Sequence, residues 1–280
     1  MMKLCCLTLS YRRTFQAGKM DIWSFIEECR RLDMDGVDLH HDALTGTDEA
    51  YLRKVKRACL DRGLAIACFS ISTNFGVPQN KQADEIEKGK SWLRVAQYFG
   101  APITRFFAGS PQGEADREDA FHRSVTCLRA MTEYGQSLGV VAALQNHNHG
   151  ALARTGDDVL RYVKAVDHPN FSHVLDTGQY AGSPGASGAV PDDLKGADFY
   201  KSIEQTAPLA THVRCKLYHV ESGKETSLDY ERIFNVIRSV HYNGWIALVY
   251  EGQEDDRVAI EKGNKFLRSF LNPSAPAARR

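Results

Sequence analysis

The chain has 280 residues, 43% hydrophobic and 25% charged, which is enough apolar content to bury a sizeable core and too much for a disordered or fibrous protein. Its 35 basic and 35 acidic side chains cancel. This neutrality gives no electrostatic footprint for nucleic acid or an anionic membrane, and it leaves little repulsion against a homo-oligomer. Apolar runs such as Leu4 to Leu9 fall far short of the roughly 20 residues of a membrane helix. Met1 to Ser10 lacks the length and cleavage site of a signal peptide, so no membrane association and a cytoplasmic location are expected. Seven cysteines, an odd set without C-x-x-C spacing, argue against a zinc knuckle or disulfide framework.

Short β-like runs alternate with longer helical patterns along the whole chain, the signature of parallel βα units. In order, the strands are expected at Lys3 to Leu9, Gly36 to His40, Ala65 to Ile71, Ile103 to Ala108, Val140 to Gln145, Ser172 to Asp176, His212 to Lys216 and Trp245 to Tyr250. Amphipathic helices are expected at Asp21 to Arg31, Asp48 to Arg62, Gln82 to Phe99, Ala115 to Leu138, Gly156 to Val166, Asp198 to Ala207, Asp229 to His241 and Asp256 to Leu271. Gly36, Gly63, Gly100, Gly139 and Gly244 stand where left-handed helix ends are expected. With no G-x-G-x-x-G or Walker pattern, a doubly wound nucleotide-binding sheet loses support. The expected fold is therefore α/β, a single (β/α)8 TIM barrel over residues 1–271. A mobile mouth loop is expected over Ala181 to Gly196, and a disordered tail over 272–280.

Active sites of such barrels lie at the C-terminal ends of the strands. The polar groups there are His40, His41 and Asp42; Ser72 to Asn74; Arg105; Gln145 to His149; Asp176 to Gln179; Arg214 and Lys216; and Glu251. So many amide, imidazole and charged groups on one mouth suit a small polyhydroxylated or carbonyl ligand. His147 and His149, two apart, share a face and would need a third ligand to hold a metal. His40 and His41 point to opposite faces if the strand continues. Arg105 is either a site residue or a buried ion pair bracing its neighbours, and Lys216 is a candidate acid/base or Schiff-base lysine.

Six segments, in order and spacing, resemble sugar phosphate isomerases/epimerases of the xylose isomerase-like TIM-barrel superfamily. They are Gly36 to His40 (GVDLH), Gly100 to Gly109 (GAPITRFFAG), Leu144 to Gly150 (LQNHNHG), Leu175 to Gly178 (LDTG), Thr211 to Lys216 (THVRCK) and Tyr242 to Glu251 (YNGWIALVYE). The resemblance implies one divalent metal (Mn, Mg or Zn) on acids of the fifth, sixth and eighth strands and a histidine of the seventh. The metal would stabilise an enediolate while acidic groups move the proton. Asp176 matches one ligand position, but the other three read Gln145, Arg214 and Val249, while Glu251 matches a second acid of the eighth strand. Loss of two acids and gain of a guanidinium suit a site in which Arg214, paired with Asp176, takes the electrostatic place of the metal.

The resulting expectation is an isomerase- or epimerase-like enzyme acting on a sugar or sugar derivative by enolisation, with dehydratase or lyase chemistry as a relative and with either no cofactor or one divalent metal. Asp176, His147, Glu251, Arg214 and Lys216 form the catalytic set; Gln145, His149, His40, Arg105 and His212 are the substrate-binding set. Two other readings compete. A catalytically retired barrel that binds a sugar-like ligand or a partner subunit expects a pocket filled by aliphatic side chains. A DNA-repair endonuclease needs more His and acidic ligands and a basic face, which the neutral composition does not supply.

Overall fold

The structure is a computed structural model that describes residues 1–148, 151–184 and 196–271. Eight parallel strands pair in sequence order and close, with β8 returning to β1. They are β1 (Lys3–Leu7), β2 (Gly36–His40), β3 (Ala65–Ser70), β4 (Ile103–Phe106), β5 (Val141–Gln145), β6 (Phe171–Asp176), β7 (Ala210–Leu217) and β8 (Trp245–Tyr250). The helices are α1 (Arg12–Gln16), α2 (Ile22–Arg31), α3 (Glu49–Leu60), α4 (Gln79–Phe99), α5 (Arg117–Leu138), α6 (Gly156–Val166), α7 (Phe199–Thr206), α8 (Tyr230–Ser239) and α9 (Asp256–Leu271). Among the described residues no helix is long and apolar enough to cross a membrane.

Local chemistry explains the helix starts. Asp21, Asp48, Thr155, Asp198 and Asp229 each stand one residue before a helix and accept backbone N–H groups of its first turn, satisfying donors that would otherwise lack partners. The helix ends differ from expectation. Gly63, Gly100 and Gly139 are left-handed, but Gly36 and Gly244 are not, and Asp33, Asp167 and His241 take that conformation instead. Gly36 serves close approach: a Cβ there would lie 2.5 Å from the Ala65 carbonyl oxygen. The first strand is also shorter than its apolar run, because Thr8–Tyr11 turns as a 3-10 helix into α1. That turn carries Arg12, Phe15 and Gln16 over the barrel mouth.

Strand alternation divides the core. Residues such as Leu4, Cys6, Val37, Leu39, Phe106 and Leu175 face outward into the large helix-covered cluster. Cys5, Leu7, Ala67, Ala247 and Val249, with Cys68, Ile103, Ala143 and Val174, fill the interior in two small clusters. All seven cysteines are free and buried, as small hydrophobes would be. Above this apolar plug the interior turns polar. Residues 185–195 of the expected mouth loop, and the tail 272–280, lie outside the described residues.

Candidate active site

All eight strands send residues to one cavity of about 560 Å³ at the C-terminal end of the barrel. Leu7 to Leu9 stand at the end of β1 and just after it, His40 and Asp42 at and after the end of β2, and Ser72 after β3; Arg105 is in β4 with Phe107 just beyond, and Gln145 ends β5 with His147 two residues on. The far wall holds Asp176 and Gln179 of β6, Arg214 and Lys216 of β7 and Glu251 after β8. Aliphatic side chains do not fill this mouth.

The charged groups form one connected chain of contacts. Arg214 donates through Nε (3.1 Å) and Nη2 (2.7 Å) to Oδ2 of Asp38, and through Nη1 to Oε1 of Gln145 (2.7 Å). Its Nη2 also donates to the Ser70 hydroxyl, which donates to Oδ1 of Asp38 (2.8 Å). The Gln145 amide donates to Oδ2 of Asp176 (2.9 Å), and the Gly178 N–H to Oδ1 (3.1 Å). Lys216 then places its ammonium 3.4 Å from Asp176 and 2.7 Å from Glu251. Gln179 donates to the other Glu251 oxygen (3.4 Å), while its own buried Oε1 has no partner among the described residues.

The expected Arg214–Asp176 pair does not form, although the two residues are backbone neighbours across β6 and β7. The guanidinium reaches across the barrel to Asp38, while Gln145 and Lys216 cover Asp176. The three carboxylates respond differently. Burial disfavours the charge of Asp38, but the Arg214 guanidinium with His212 and Ser70 outweighs it and holds that carboxyl well below the usual range. Burial dominates at Asp176 and pushes its pKa up, Lys216 opposing and the Glu251 charge adding. Glu251 is lowered: burial works against its charge, but the Lys216 ion pair prevails, with help from Arg12 and His147.

The other expected residues fall in different places. His147 lines the cavity, edge-on to the Phe107 ring at 4.8 Å. His149 lies outside the described residues. His40 ends β2 buried, with Nε2 3.3 Å from the Ser72 hydroxyl, and burial lowers its pKa to about 4. His41 is not on an opposite strand face, because the chain enters a 3-10 turn at His41–Ala43; the two rings stand 4.5 Å apart and both meet Asp42. His212 is fully buried one layer beneath Arg214, 3.2 Å from Asp38 and away from the cavity, so the substrate contact expected of it is not available there. Arg105 lines the cavity, donates to the Ile71 carbonyl oxygen, and braces no carboxylate among the described residues. Asp38 and Ser70 were missed, and Gln179, already among the polar groups of the mouth, was left out of the catalytic and binding sets. An acid in the middle of an apolar strand, two residues before His40 and therefore on its face, is the signal that marks Asp38.

A closed barrel of eight parallel strands in sequence order, with a polar cavity at their C-terminal end, defines a (β/α)8 TIM barrel. The chain belongs to the xylose isomerase-like TIM barrel family, whose sequence pattern matches residues 26–270. In fold it is similar to L-ribulose 3-epimerase, at 14% identity with a TM-score of 0.77 over 100% of both chains. It is also similar to D-psicose 3-epimerase crystallised in the presence of D-fructose, at 15% identity and TM-score 0.72 over 98% of each chain. The probable 3-DHS dehydratase AsbF, involved in petrobactin synthesis in Bacillus anthracis, is 20% identical, with TM-score 0.72 over 99% of this chain and 100% of its own. No curated protein sequence matches the chain.

The single divalent metal expected of such a barrel does not fit these residues. Asp176 has both oxygens engaged by N–H donors or an ammonium, and the other ligand positions read Gln145, Arg214 and Val249, which offer a neutral amide, a cation and an alkyl group. Among the described residues two groups could share an ion, Asp38–Cys68–His212 and His40–His41–Asp42. In the first, Asp38 already serves Arg214. The second lies on the rim, with the Asp42 side chain 62% exposed.

Proposed function

We propose that this barrel is a sugar- or sugar-derivative-transforming enzyme, isomerase- or epimerase-like, that works by enolisation with its own cations in place of a divalent metal. The observation that carries the reading is the Lys216 ammonium held between the Asp176 and Glu251 carboxylates at the wall of an open polar cavity. An ammonium has three N–H donors, so with two carboxylates held it retains one for a developing oxyanion. Glu251, ionised, takes the proton next to the substrate carbonyl, and the electron pair moves onto the carbonyl oxygen at Lys216. His147 returns a proton, Asp176 orients hydroxyls, and the unpartnered Gln179 Oε1 accepts from another. Arg214 is a positioning residue, since its nitrogens are engaged by Asp38, Gln145 and Ser70 and what it supplies is background positive charge. Epimerisation, aldose–ketose exchange and elimination share this first step, and the epimerases and dehydratase of similar fold support the class.

The test is solvent-deuterium exchange at the α-carbon, followed by proton NMR over a panel of ketoses, aldoses and keto-acid sugars. Exchange that survives chelation and falls at least about 100-fold in Lys216→Met is expected. A stoichiometric divalent metal whose removal abolishes exchange would overturn the reading, as would exchange indifferent to Lys216.

A further inference from the structure

The three interior cations are not equally provided for. Arg214 is matched by Asp38, and Lys216 by Glu251 and Asp176. Arg105 is 1% exposed, yet among the described residues no carboxylate lies within ion-pair distance of it. Its Nη1 donates to the Ile71 carbonyl oxygen (2.7 Å), its guanidinium lies 4.0 Å from the centre of the Phe107 ring, and its Nε finds no acceptor. A buried cation without a contacting counter-charge is unfavourable. Burial and the nearby Arg214 push its pKa down to about 9, with the more distant Asp38 and Asp176 charges opposing, which still leaves it cationic at neutral pH. The side chain nonetheless lines the cavity, on the opposite wall from Lys216 and Glu251.

We infer that Arg105 binds a carboxylate carried by the substrate, so that the molecule transformed is a sugar acid or a related polyhydroxylated carboxylic acid rather than a neutral sugar. This rests on the reading of the cavity as the substrate site. The surroundings favour one negative charge. His40 beside Arg105 is neutral at pH 7, the Ser72 hydroxyl is its partner, and the Asp42 carboxylate is taken by the two imidazoles. A phosphate dianion asks for a second cation, and the other two interior cations, Arg214 and Lys216, are already matched by Asp38, Asp176 and Glu251. The planar guanidinium edge matches a planar carboxylate. With the acid anchored at the β4 wall, the carbonyl end faces Lys216 and Glu251 across the cavity.

Calorimetric titration of the full chain at matched ionic strength tests this, using hexuronates and hexulosonates, the corresponding neutral hexoses and the hexose 6-phosphates. At least one carboxylate is expected to bind about tenfold or more tightly than its neutral counterpart. Arg105→Gln brings the carboxylate-to-neutral affinity ratio to within about twofold of one, and Arg105→Lys retains part of the preference. If Arg105→Gln does not fold, a selective several-fold loss of carboxylate affinity in Arg105→Lys carries the test. Three results overturn the inference: no carboxylate favoured over its neutral match, phosphates favoured over carboxylates, or a preference that ignores both Arg105 variants. Carboxylate binding without α-proton exchange sinks the enolisation reading and leaves this inference standing; exchange on neutral sugars that ignores Arg105 does the reverse.

Discussion

Asp38 and Asp176 are buried acids in the same barrel interior, each facing a cation, and their surroundings push them in opposite directions. Asp38 sits in the deeper layer, with both oxygens engaged by Arg214 and the Ser70 hydroxyl. Asp176 sits one layer higher at the cavity wall, where its ammonium is shared with a second carboxylate. One acid is held firmly ionised, while the other carries part of its desolvation cost uncompensated. The contrast separates a charge that organises the barrel from a charge held ready for a ligand, as expected where function works against stability.

The largest effect should come from removing the deeper acid. Asp38→Ala leaves the Arg214 cation buried without its partner, and a loss of about 3–5 kcal/mol in unfolding free energy is expected, read from urea denaturation at pH 7. Asp176→Asn should behave oppositely: its amide can still meet Gln145 and Lys216, so stability changes by less than about 1 kcal/mol while α-proton exchange collapses. Equal destabilisation by the two substitutions would erase the distinction.

How much of this was legible in the sequence depended on the range of the interaction. Strands and helices follow from local alternation and capping, so β2 and β8 fall at Gly36–His40 and Trp245–Tyr250 as expected. Sheet order follows because consecutive βα units stack side by side. The pairing of Arg214 does not follow, because its partner is 176 residues away and across the barrel interior. Neighbour rules favoured Asp176, which is adjacent in the sheet, but a guanidinium on a long stem bypasses its sheet neighbour where an amide already covers that acid. The short first strand failed for a related reason. Leu7 and Leu9 suit a strand by alternation, and only the packed mouth shows that the chain must turn at Thr8.

A second effect, of up to about 3 kcal/mol for each group, belongs to acid. His40 and His173 are buried neutral, with burial pushing both down to about 4, against an ordinary value near 6.5. In the window between those values the unfolded chain binds more protons than the folded one, so stability is lost as pH falls through it. The Asp38 contribution, from a lowered pKa, survives this window and fails only at still lower pH. The raised Asp176 works the other way, since holding its charge costs stability as pH rises through the carboxylate range. Urea midpoints measured from pH 7 to 4.5 should fall, with a shallower slope in His40→Gln. Equal slopes in the unsubstituted chain and His40→Gln would mean that His40 is exposed to water, and the neutral wall beside Arg105 would go with it.

The smallest effect tests whether the two acids are independent at all. Gln145 joins the layers, its carbonyl oxygen accepting from Arg214 and its amide donating to Asp176. An amide between a cation and an acid fixes its own orientation: turning it over would place N–H groups against the guanidinium and oxygen against the carboxylate. Neutralising Asp38 loosens Arg214 and with it the amide that supports Asp176. A double-mutant cycle of Asp38→Asn with Asp176→Asn should therefore show a coupling of about 0.5–1 kcal/mol. The same cycle built on Gln145→Ala should lose most of it, because the remaining path runs only through screened charge. Coupling that persists without Gln145 would mean that the layers communicate through the barrel's field, and that Asp176 is tuned by net charge instead of by the side chain between them.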